Sequence, residues 1–407
     1  MTTSWLGSGL IVAHRTIYPR PMSDDRLSAS ERAIVDAAIE LAATVIDPNA
    51  DRWETERVFA VEAFAAAAQA GLTAVIVPEE FGGRGAGEVT LARMMEELAA
   101  ADLAAAFSLV VHNNMARAVA GSGNAHLIDT VLPVLISGER LGAFLLTEPG
   151  VGSDAAAITC SADLDGESWV IRGEKAWVTN ASEAGLLNVY AQTDPSRGYR
   201  GIVSIVVDTE LPGVVRGPAY ELMGAHAMGT GGFEFSDVRV GVENTLIPVG
   251  EAFGAAMVGI DLARVLVAAM CCGMMRRSLD TAIAVTGERQ IFGGSVSDKQ
   301  GVQWMLADVA TDLAAARLLT YRAARLLQEG GDATVVAAHA KKFAARKAPE
   351  RIADCMQVMG AVGYRRANGN PLPRHLAASR ITGYIDGATE IQNVVIARDL
   401  WKEHRPR

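Results

Sequence analysis

Apolar residues recur every three to four positions over most of the first third of the chain, the spacing that places them on one face of an α-helix. Ser28 and Glu31 have the spacing of a capping box, and Ile34 and Ala38 follow at helical intervals, so we predict that the first helix begins near residue 29. The same pattern predicts further helices over residues 61–70, 88–102, 104–120 and 123–137. The first third is therefore predicted to be all-helical.

The pattern changes near residue 144 to short apolar runs bounded by Gly, Asp, Asn and Pro, which is typical of β-strands. After Pro248 the next proline is Pro349, and long apolar patterns follow Pro248, as in the helices of a bundle. These patterns predict helices over residues 251–286, 299–329, 333–360 and 388–402. We therefore predict a helical domain over residues 22–143, a β domain over residues 144–250 and a helical bundle over residues 251–407.

Composition narrows the function classes. Half of the residues are hydrophobic and only 6% are aromatic, which suits helix packed on helix. With 47 acidic and 37 basic residues the net charge is −10, which opposes binding to nucleic acid or to an anionic membrane surface. The four cysteines form no CxxC pair and no zinc-binding pattern with histidine. We expect no metal site and a reducing, cytoplasmic setting.

The amino-terminal stretch carries no predicted signal peptide, because no basic residue precedes its short apolar run and no convincing cleavage site follows. Residues 1–21 are either a disordered arm or a start-site artefact ahead of Met22. We also expect no stretch with the apolar length needed to cross a bilayer.

Two segments combine hydroxyl groups, glycines and an aromatic ring. Residues 144–154, FLLTEPGVGSD, can bond the edge of a flavin and approach a pyrophosphate closely, or they form a Gly/Pro turn between domains. Residues 173–180, GEKAWVTN, read as a strand in which Trp177 and Thr179 share a face. That face either meets an aromatic cofactor or packs a core tryptophan.

These segments, in the order helical, β, helical, resemble the acyl-CoA dehydrogenase family from about residue 28 to residue 402. The resemblance implies a mainly α fold with a central β-barrel domain, an N-terminal helical domain and a C-terminal four-helix bundle. It also implies FAD between barrel and bundle, completed by a second subunit of a homodimer or homotetramer. The residues that it places along the flavin and pyrophosphate are Phe144, Leu146, Thr147 and Ser153, with Ser153 also beside the substrate, and Trp177 and Thr179 against the ring.

The resemblance extends into the predicted bundle. Residues 222–240 match the family's barrel-closing strand, and residues 357–364 match its adenosine-contacting turn, with Ala361 in place of a usual Gly. Asp261 and Arg264 match an Asp-x-x-Arg pair beside the substrate, for which a salt bridge within one helix is the alternative. The remaining residues implied to bind FAD, several of them on the cofactor of the neighbouring subunit, are Arg289, Phe292, Gln300, Gln357, Gly360, Thr389 and Glu390.

Residues 384–392, YIDGATEIQ, align on the family's catalytic turn and place Asp386 at its catalytic Glu. In the family that Glu takes the α-proton of an acyl thioester while a hydride leaves the β-carbon for flavin N5. Asp can do the same, since its pKa of about 3.9 is close to the value of about 4.3 for Glu. It is one methylene shorter, and a misplacement of about 1 Å costs about a hundredfold in rate. The alternative role for Asp386 is an N-cap of the last helix.

Other residues near the aligned turn depart from the family pattern. Ala263 occupies the second position at which some members carry the base, and Ala388 replaces a usual Thr. Residues 377–379, AAS, replace a usual Arg-Asp-Ala. Three functions follow from this sequence: a dehydrogenase of acyl-CoA or acyl-carrier-protein thioesters that passes electrons to an electron-transferring flavoprotein or similar acceptor, an oxidase of the nitroalkane-oxidase type, and a catalytically silent flavin-binding subunit.

Overall fold

The computed structural model describes residues 27–366 and 369–402. Helices, strands and helices follow one another along the chain in the predicted order. The predicted arm over residues 1–21 lies outside the described residues.

The amino-terminal block is helical. Its helices are α1 (Ala29–Leu41), α2 (Asp47–Glu56), α3 (Val61–Gln69), α4 (Glu88–Ala101), α5 (Leu103–Ala120), α6 (Ala125–Thr130) and α7 (Leu132–Ile136). The predicted capping box of Ser28 and Glu31 is confirmed by reciprocal hydrogen bonds. The sequence did not predict α2, which continues α1 through a π-helical segment, Ala42–Ile46, and carries Pro48 in its first turn. The chain stays helical through this junction, so Pro48 removes one backbone hydrogen bond, and the π-helical segment directly before it is the local departure from α-helical geometry.

The middle block is one mixed sheet. Its strands are β1 (Gly142–Leu145), β2 (Ser161–Asp165), β3 (Ser168–Val178), β4 (Leu186–Gln192), β5 (Ile202–Asp208), β6 (Val214–Arg216), β7 (Gly231–Gly241) and β8 (Thr245–Ile247). The order is β6-β7-β3-β2-β4-β5-β8, and β1 pairs parallel to β4. The predicted barrel-closing strand is the inner strand β7, between β6 and β3, and the described strands form no ladder between β6 and β8. The strand pairing therefore does not show β7 closing a barrel.

The carboxy-terminal block is built on three long helices. Its elements are α8 (Ala252–Glu288), the short strands β9 (Gln290–Ile291) and β10 (Gly294–Ser295), α9 (Gln300–Gln328), α10 (Thr334–Met359), α11 (Ala361–Tyr364), α12 (Leu372–Ser379) and α13 (Thr389–Leu400). The helices α8, α9 and α10 pack on one another, and α4 packs on α8, so one apolar core joins the two helical blocks.

Helix α8 corrects one sequence expectation. It spans 37 residues and is long and apolar enough, by length and composition, to cross a membrane. Of its most apolar window, 72% is buried inside the molecule, against α4, α9 and α10. Its apolar character follows from burial on nearly all sides, which is the pattern of a central bundle helix.

A group of charges lies buried where α4, α8 and α9 meet. We call it the core ion cluster: Arg93, Glu96, Glu97, Arg276, Arg317 and the hydroxyl of Tyr321. Arg317 Nη2 and Tyr321 Oη each donate to Glu96 at 2.6 Å, and Arg276 Nη2 donates to Glu97 Oε2 at 2.6 Å. Burial acts to raise the pKa of Glu96, but the surrounding arginines outweigh it and lower that pKa. Each carboxylate in the cluster is therefore matched by cations.

Candidate active site

The turn before α13, which carries Asp386 and Gly387, has an unusual backbone. Asp386 has a φ of +50° and Gly387 a φ of +86°, so both lie in the left-handed region. Asp is one of the few residues with a side chain that tolerates this region. A Cβ at Gly387 would lie 2.9 Å from Gln392 Nε2 and 3.3 Å from Arg264 Nη2. The turn therefore leaves no room for a side chain after Asp386.

Three side chains hold the two carbonyl groups of this turn. Arg264 Nε of α8 donates to the Asp386 carbonyl at 3.2 Å. Lys341 Nζ of α10 and Gln392 Nε2 of α13 donate to the Gly387 carbonyl at 2.6 and 2.8 Å. Because the donors come from three helices, the backbone of the turn is fixed relative to the bundle.

Two polar groups of Asp386, its Oδ2 and its amide N–H, differ from these bonded carbonyls. Its Oδ2 is shielded from solvent and has no hydrogen-bond partner within residues 27–366 and 369–402. Over the same residues, its amide N–H donates to no backbone carbonyl. Helix α13 begins after its N-cap residue, Ala388, and no side chain forms a capping hydrogen bond there. The alternative prediction that Asp386 caps this helix is therefore wrong.

Burial and two cations set the protonation of Asp386 in opposite directions. Burial raises the pKa of the carboxyl to about 6, while the charges of Lys341 and Arg264 act to lower it. Lys341 is itself fully buried, and burial lowers the pKa of its ammonium group to about 8, against the attraction of Asp386. A carboxyl group with a pKa near the working pH can exchange a proton readily.

Arg264 connects the predicted Asp-x-x-Arg pair to the Asp386–Gly387 turn. Its Nη1 donates to Asp261 Oδ1 at 2.7 Å, so the salt bridge within one helix, predicted as the alternative, is present. Thr334 Oγ1 donates to Asp261 Oδ2 at 2.6 Å. Both oxygens of Asp261 thus have partners, and one function of the pair is to orient Arg264 on Asp386.

The two segments predicted from glycines and hydroxyls lie side by side. The amide of Ala176 donates to the Thr147 carbonyl at 3.0 Å. Strand β3 bulges between Lys175 and Val178, where Trp177 takes a φ of +58° and leaves 59% of its surface exposed. Thr179 lies past the end of the strand and is buried, so the predicted sharing of one face does not hold. A tryptophan with positive φ is uncommon, and here it turns a flat ring outward.

A buried ion pair fixes the loop that follows β1. Lys175 Nζ donates to Glu148 Oε1 at 2.9 Å and to the Leu146 carbonyl at 3.0 Å. Glu148 also accepts from Thr159 and Cys160. Leu146 belongs to a buried apolar cluster against which Phe144 packs, while Ser153 is exposed farther along the loop.

Two of the predicted cofactor residues of the bundle lie in contact. Arg289 Nη1 donates to the Met359 carbonyl at 2.8 Å and would lie 2.7 Å from a Cβ at Gly360, so these two predicted positions meet. Phe292, with a φ of +50°, is 94% exposed. The other predicted residues are all partly or fully exposed and lie on three helices: Gln300 at the start of α9, Gln357 in α10, and Thr389 and Glu390 at the start of α13.

Sequence reasoning missed Lys341 and gave no role to Gln392. A signal for Lys341 was present: it lies at helical spacing with the buried Ala337, Ala344 and Ala348, so a charged residue occupies the apolar face of α10. Such a residue is almost never fully buried unless it is paired. Over the described residues, no group of three or more His, Cys, Asp or Glu is arranged to hold a metal ion.

Comparisons with known proteins agree along the length of the chain. Residues 28–139, 143–238 and 250–401 match the N-terminal, middle and C-terminal domains of acyl-CoA dehydrogenases. The chain is 34% identical over 381 residues to an acryloyl-CoA reductase (NADH) of Anaerotignum propionicum, covering 93% of this chain and 96% of the relative.

Two solved structures share the fold. Butyryl-CoA dehydrogenase of Megasphaera elsdenii is 30% identical with a TM-score of 0.88, covering 92% of this chain and 98% of that one. The FAD complex of PigA is 26% identical with a TM-score of 0.87, over the same shares. The predicted fold, the FAD cofactor and the class of oxidoreductase are thereby confirmed. This chain belongs to the acyl-CoA dehydrogenase family.

Proposed function

We propose that the chain catalyses the α,β-dehydrogenation of an acyl thioester, with Asp386 as the base that takes the α-proton. The observation that carries this proposal is the carboxyl group of Asp386, whose Oδ2 is shielded from solvent and has no partner among the described residues. Leaving such an atom without a hydrogen bond costs free energy. This cost is explained if the oxygen has to be free to take a proton from the α-carbon of a bound substrate.

The groups around Asp386 support this chemistry. With a pKa of about 6 the carboxyl group is largely ionised at neutral pH and can still hold the proton it removes. The amide N–H of Asp386, which donates to no backbone carbonyl in the described chain, would donate to the thioester oxygen. That bond would stabilise the negative charge that develops when the α-proton leaves.

The residues around Trp177 fit FAD. The outward-facing indole and the adjoining Thr147 segment offer a flat apolar surface beside polar backbone groups. When bound, FAD supplies the acceptor for the hydride that leaves the substrate β-carbon. We assign to its flavin and pyrophosphate the residues Phe144, Leu146, Thr147, Ser153, Trp177 and Thr179.

We further propose that a second copy of the chain completes each cofactor site. Arg289 and Gly360 meet at a surface where Phe292 is almost fully exposed. An Arg suits a pyrophosphate because its guanidinium group forms fixed, charge-assisted hydrogen bonds. We assign to the FAD of the neighbouring subunit Arg289, Phe292, Gln300, Gln357 and Gly360, and to the site near the catalytic turn Thr389 and Glu390. The assembly would be a dimer or a tetramer, which sedimentation of the FAD-loaded protein measures.

The substrate would be a short acyl-CoA, by analogy with the butyryl-CoA dehydrogenase that shares the fold. Electrons would pass to an electron-transferring flavoprotein or a similar acceptor. The reverse direction is also chemically available, since a base that removes the α-proton can return it, and one similar protein is named as a reductase.

Anaerobic titration of the FAD-loaded protein tests the proposal. We expect acyl-CoAs of two to eight carbons beyond the carboxyl group, supplied in turn, to bleach the visible flavin absorbance, with a short chain acting fastest. Acyl-carrier-protein thioesters of the same lengths separate the two carriers.

Two controls distinguish the other functions. Peroxide production from nitroalkanes in air, without bleaching by any thioester, would instead identify an oxidase. A protein that holds FAD but responds to neither substrate class, nor to NADH with an enoyl-CoA, would be the catalytically silent subunit.

A further inference from the structure

Lys341 is the most deeply buried charged group next to the catalytic turn. It lies on the apolar face of α10 and has no exposed surface. Burying an ammonium group costs free energy unless nearby groups compensate it. The groups that compensate the buried charge of Lys341 therefore indicate its role.

The contacts of Lys341 lead to the base. Its Nζ donates to the Gly387 carbonyl at 2.6 Å, one residue after Asp386. The charged and titratable groups that face it and Asp386 are Arg264 and Cys271 of α8 and Glu390 of α13. Lys341 and Arg264 are the two cations whose charges act to lower the pKa of the Asp386 carboxyl.

We infer that Lys341 is a positioning residue for the reaction: its hydrogen bond fixes the Asp386–Gly387 turn, and its positive charge favours the ionised form of the Asp386 carboxyl. This inference rests on the proposed function for its catalytic meaning, but the interaction between the two residues is measurable without turnover. Arg264 shares the role, because it holds the preceding carbonyl from the opposite helix.

The sign of the effect follows from the charges. A neighbouring cation favours the ionised form of a carboxyl group, and an opposite charge within about 4–6 Å shifts its pKa by about 1–3 units. Removing the charge of Lys341 therefore raises the pKa of Asp386, and the base is lost at a higher pH than in the native protein.

The first test compares Lys341→Gln with Lys342→Gln in the FAD-loaded protein. Lys342 is the next residue of the same helix and is only half-buried, so it is a matched control. We expect Lys341→Gln to move the acidic limb of the kcat/KM profile upward by about 1 pH unit or more, because kcat/KM reports the ionisation of the substrate-free protein. Lys342→Gln leaves the limb in place. An unchanged limb in a folded, FAD-loaded Lys341→Gln protein would overturn the inference.

Lys341→Arg separates charge from a general packing defect. It keeps a cation and a donor, so we expect an acidic limb close to the native one. If Lys341→Gln fails to fold, Lys341→Arg still decides: a limb displaced by 1 pH unit or more would show that the positive charge is not what sets the pKa.

Infrared titration of the substrate-free, FAD-loaded protein gives a readout besides activity. The carbonyl band of protonated Asp386, identified by its loss in Asp386→Asn, should appear at a higher pH in Lys341→Gln than in the native protein. If that shift is absent while Asp386→Asn is inactive, the inference fails and the proposed function stands. If the shift is present while Asp386→Asn still turns over, the proposed base fails and the coupling to Lys341 stands.

Discussion

Two carboxylates in the helical part of the molecule, the buried Glu96 and the half-buried Asp386, have opposite surroundings. Glu96, in the core ion cluster, accepts from Arg317 and Tyr321 and lies near two further arginines, and its pKa is lowered. Asp386, in the catalytic turn, has an oxygen without a partner among the described residues, and its pKa is raised. Burial acts to raise the pKa of both carboxyl groups, so burial alone does not account for the opposite directions of the two shifts.

The difference lies in which atoms accept hydrogen bonds from the neighbouring cations. In the core ion cluster the cations bond the carboxylate itself, which neutralises it and joins α4, α8 and α9. At the catalytic turn Arg264 and Lys341 bond the backbone carbonyls, so the turn is fixed while the carboxyl group stays available. A fully paired buried charge is a structural feature, whereas a partly unpaired one in a fixed frame can react.

Asp386→Asn should give the largest effect. It keeps the shape of the side chain and removes the base, and we expect turnover to fall about 10²–10⁴-fold. FAD content and thermal stability should stay close to native, since the Asp386 side chain bonds nothing in the described chain through Oδ2. Flavin bleaching by a reactive acyl-CoA measures the loss. Turnover within tenfold of native would remove Asp386 from the role of base.

Glu96→Gln should lower the stability and leave the turnover unchanged, which is the opposite of Asp386→Asn. Removing one member of a buried charge network leaves its cations uncompensated, which costs about 3–5 kcal/mol of unfolding free energy. Denaturant unfolding measures that cost. At temperatures where the variant is folded, its turnover should match native, and a large loss of turnover with native stability would contradict the distinction between the two sites.

Asp386→Glu tests the reach of the base. The turn is fixed by three donors, so a longer side chain moves the carboxylate instead of the backbone. We expect turnover to fall, by less than about a hundredfold for a displacement of about 1 Å. Rapid-mixing kinetics with one acyl-CoA compares the two proteins. A faster variant would mean that the native Asp stops short of its substrate.

The smallest effect is the pH dependence of the native protein. Because the pKa of Asp386 is raised to about 6, the ionised base is present above that pH and is lost below it. We expect kcat/KM, which reports the ionisation of the substrate-free protein, to fall about tenfold per pH unit below about 6. Circular dichroism at each pH checks that the protein remains folded. A profile that stays flat down to pH 4.5 would contradict the assigned pKa.

Local patterns predicted most elements but not all of them. The capping box at Ser28 and the long helices α8, α9 and α10 were predicted within a few residues, because periodic apolar positions carry the signal. Helix α12 was missed because Pro371 and Pro373 interrupt the pattern, yet α12 begins between them and contains Pro373 in its first turn. One predicted helix over residues 123–137 is two short helices, with Pro133 opening the second.

The sequence by itself determined the order of the three blocks, the family and the position of Asp386, because these depend on residues close together in the chain. Only the tertiary structure decided that Lys341 and Arg264, which are 77 positions apart in the numbering, converge on the carbonyls of one turn. It also decided that the bulge in β3 turns Trp177 outward. Long-range packing and backbone strain have no local pattern, so the surroundings of Asp386 are a property of the folded chain.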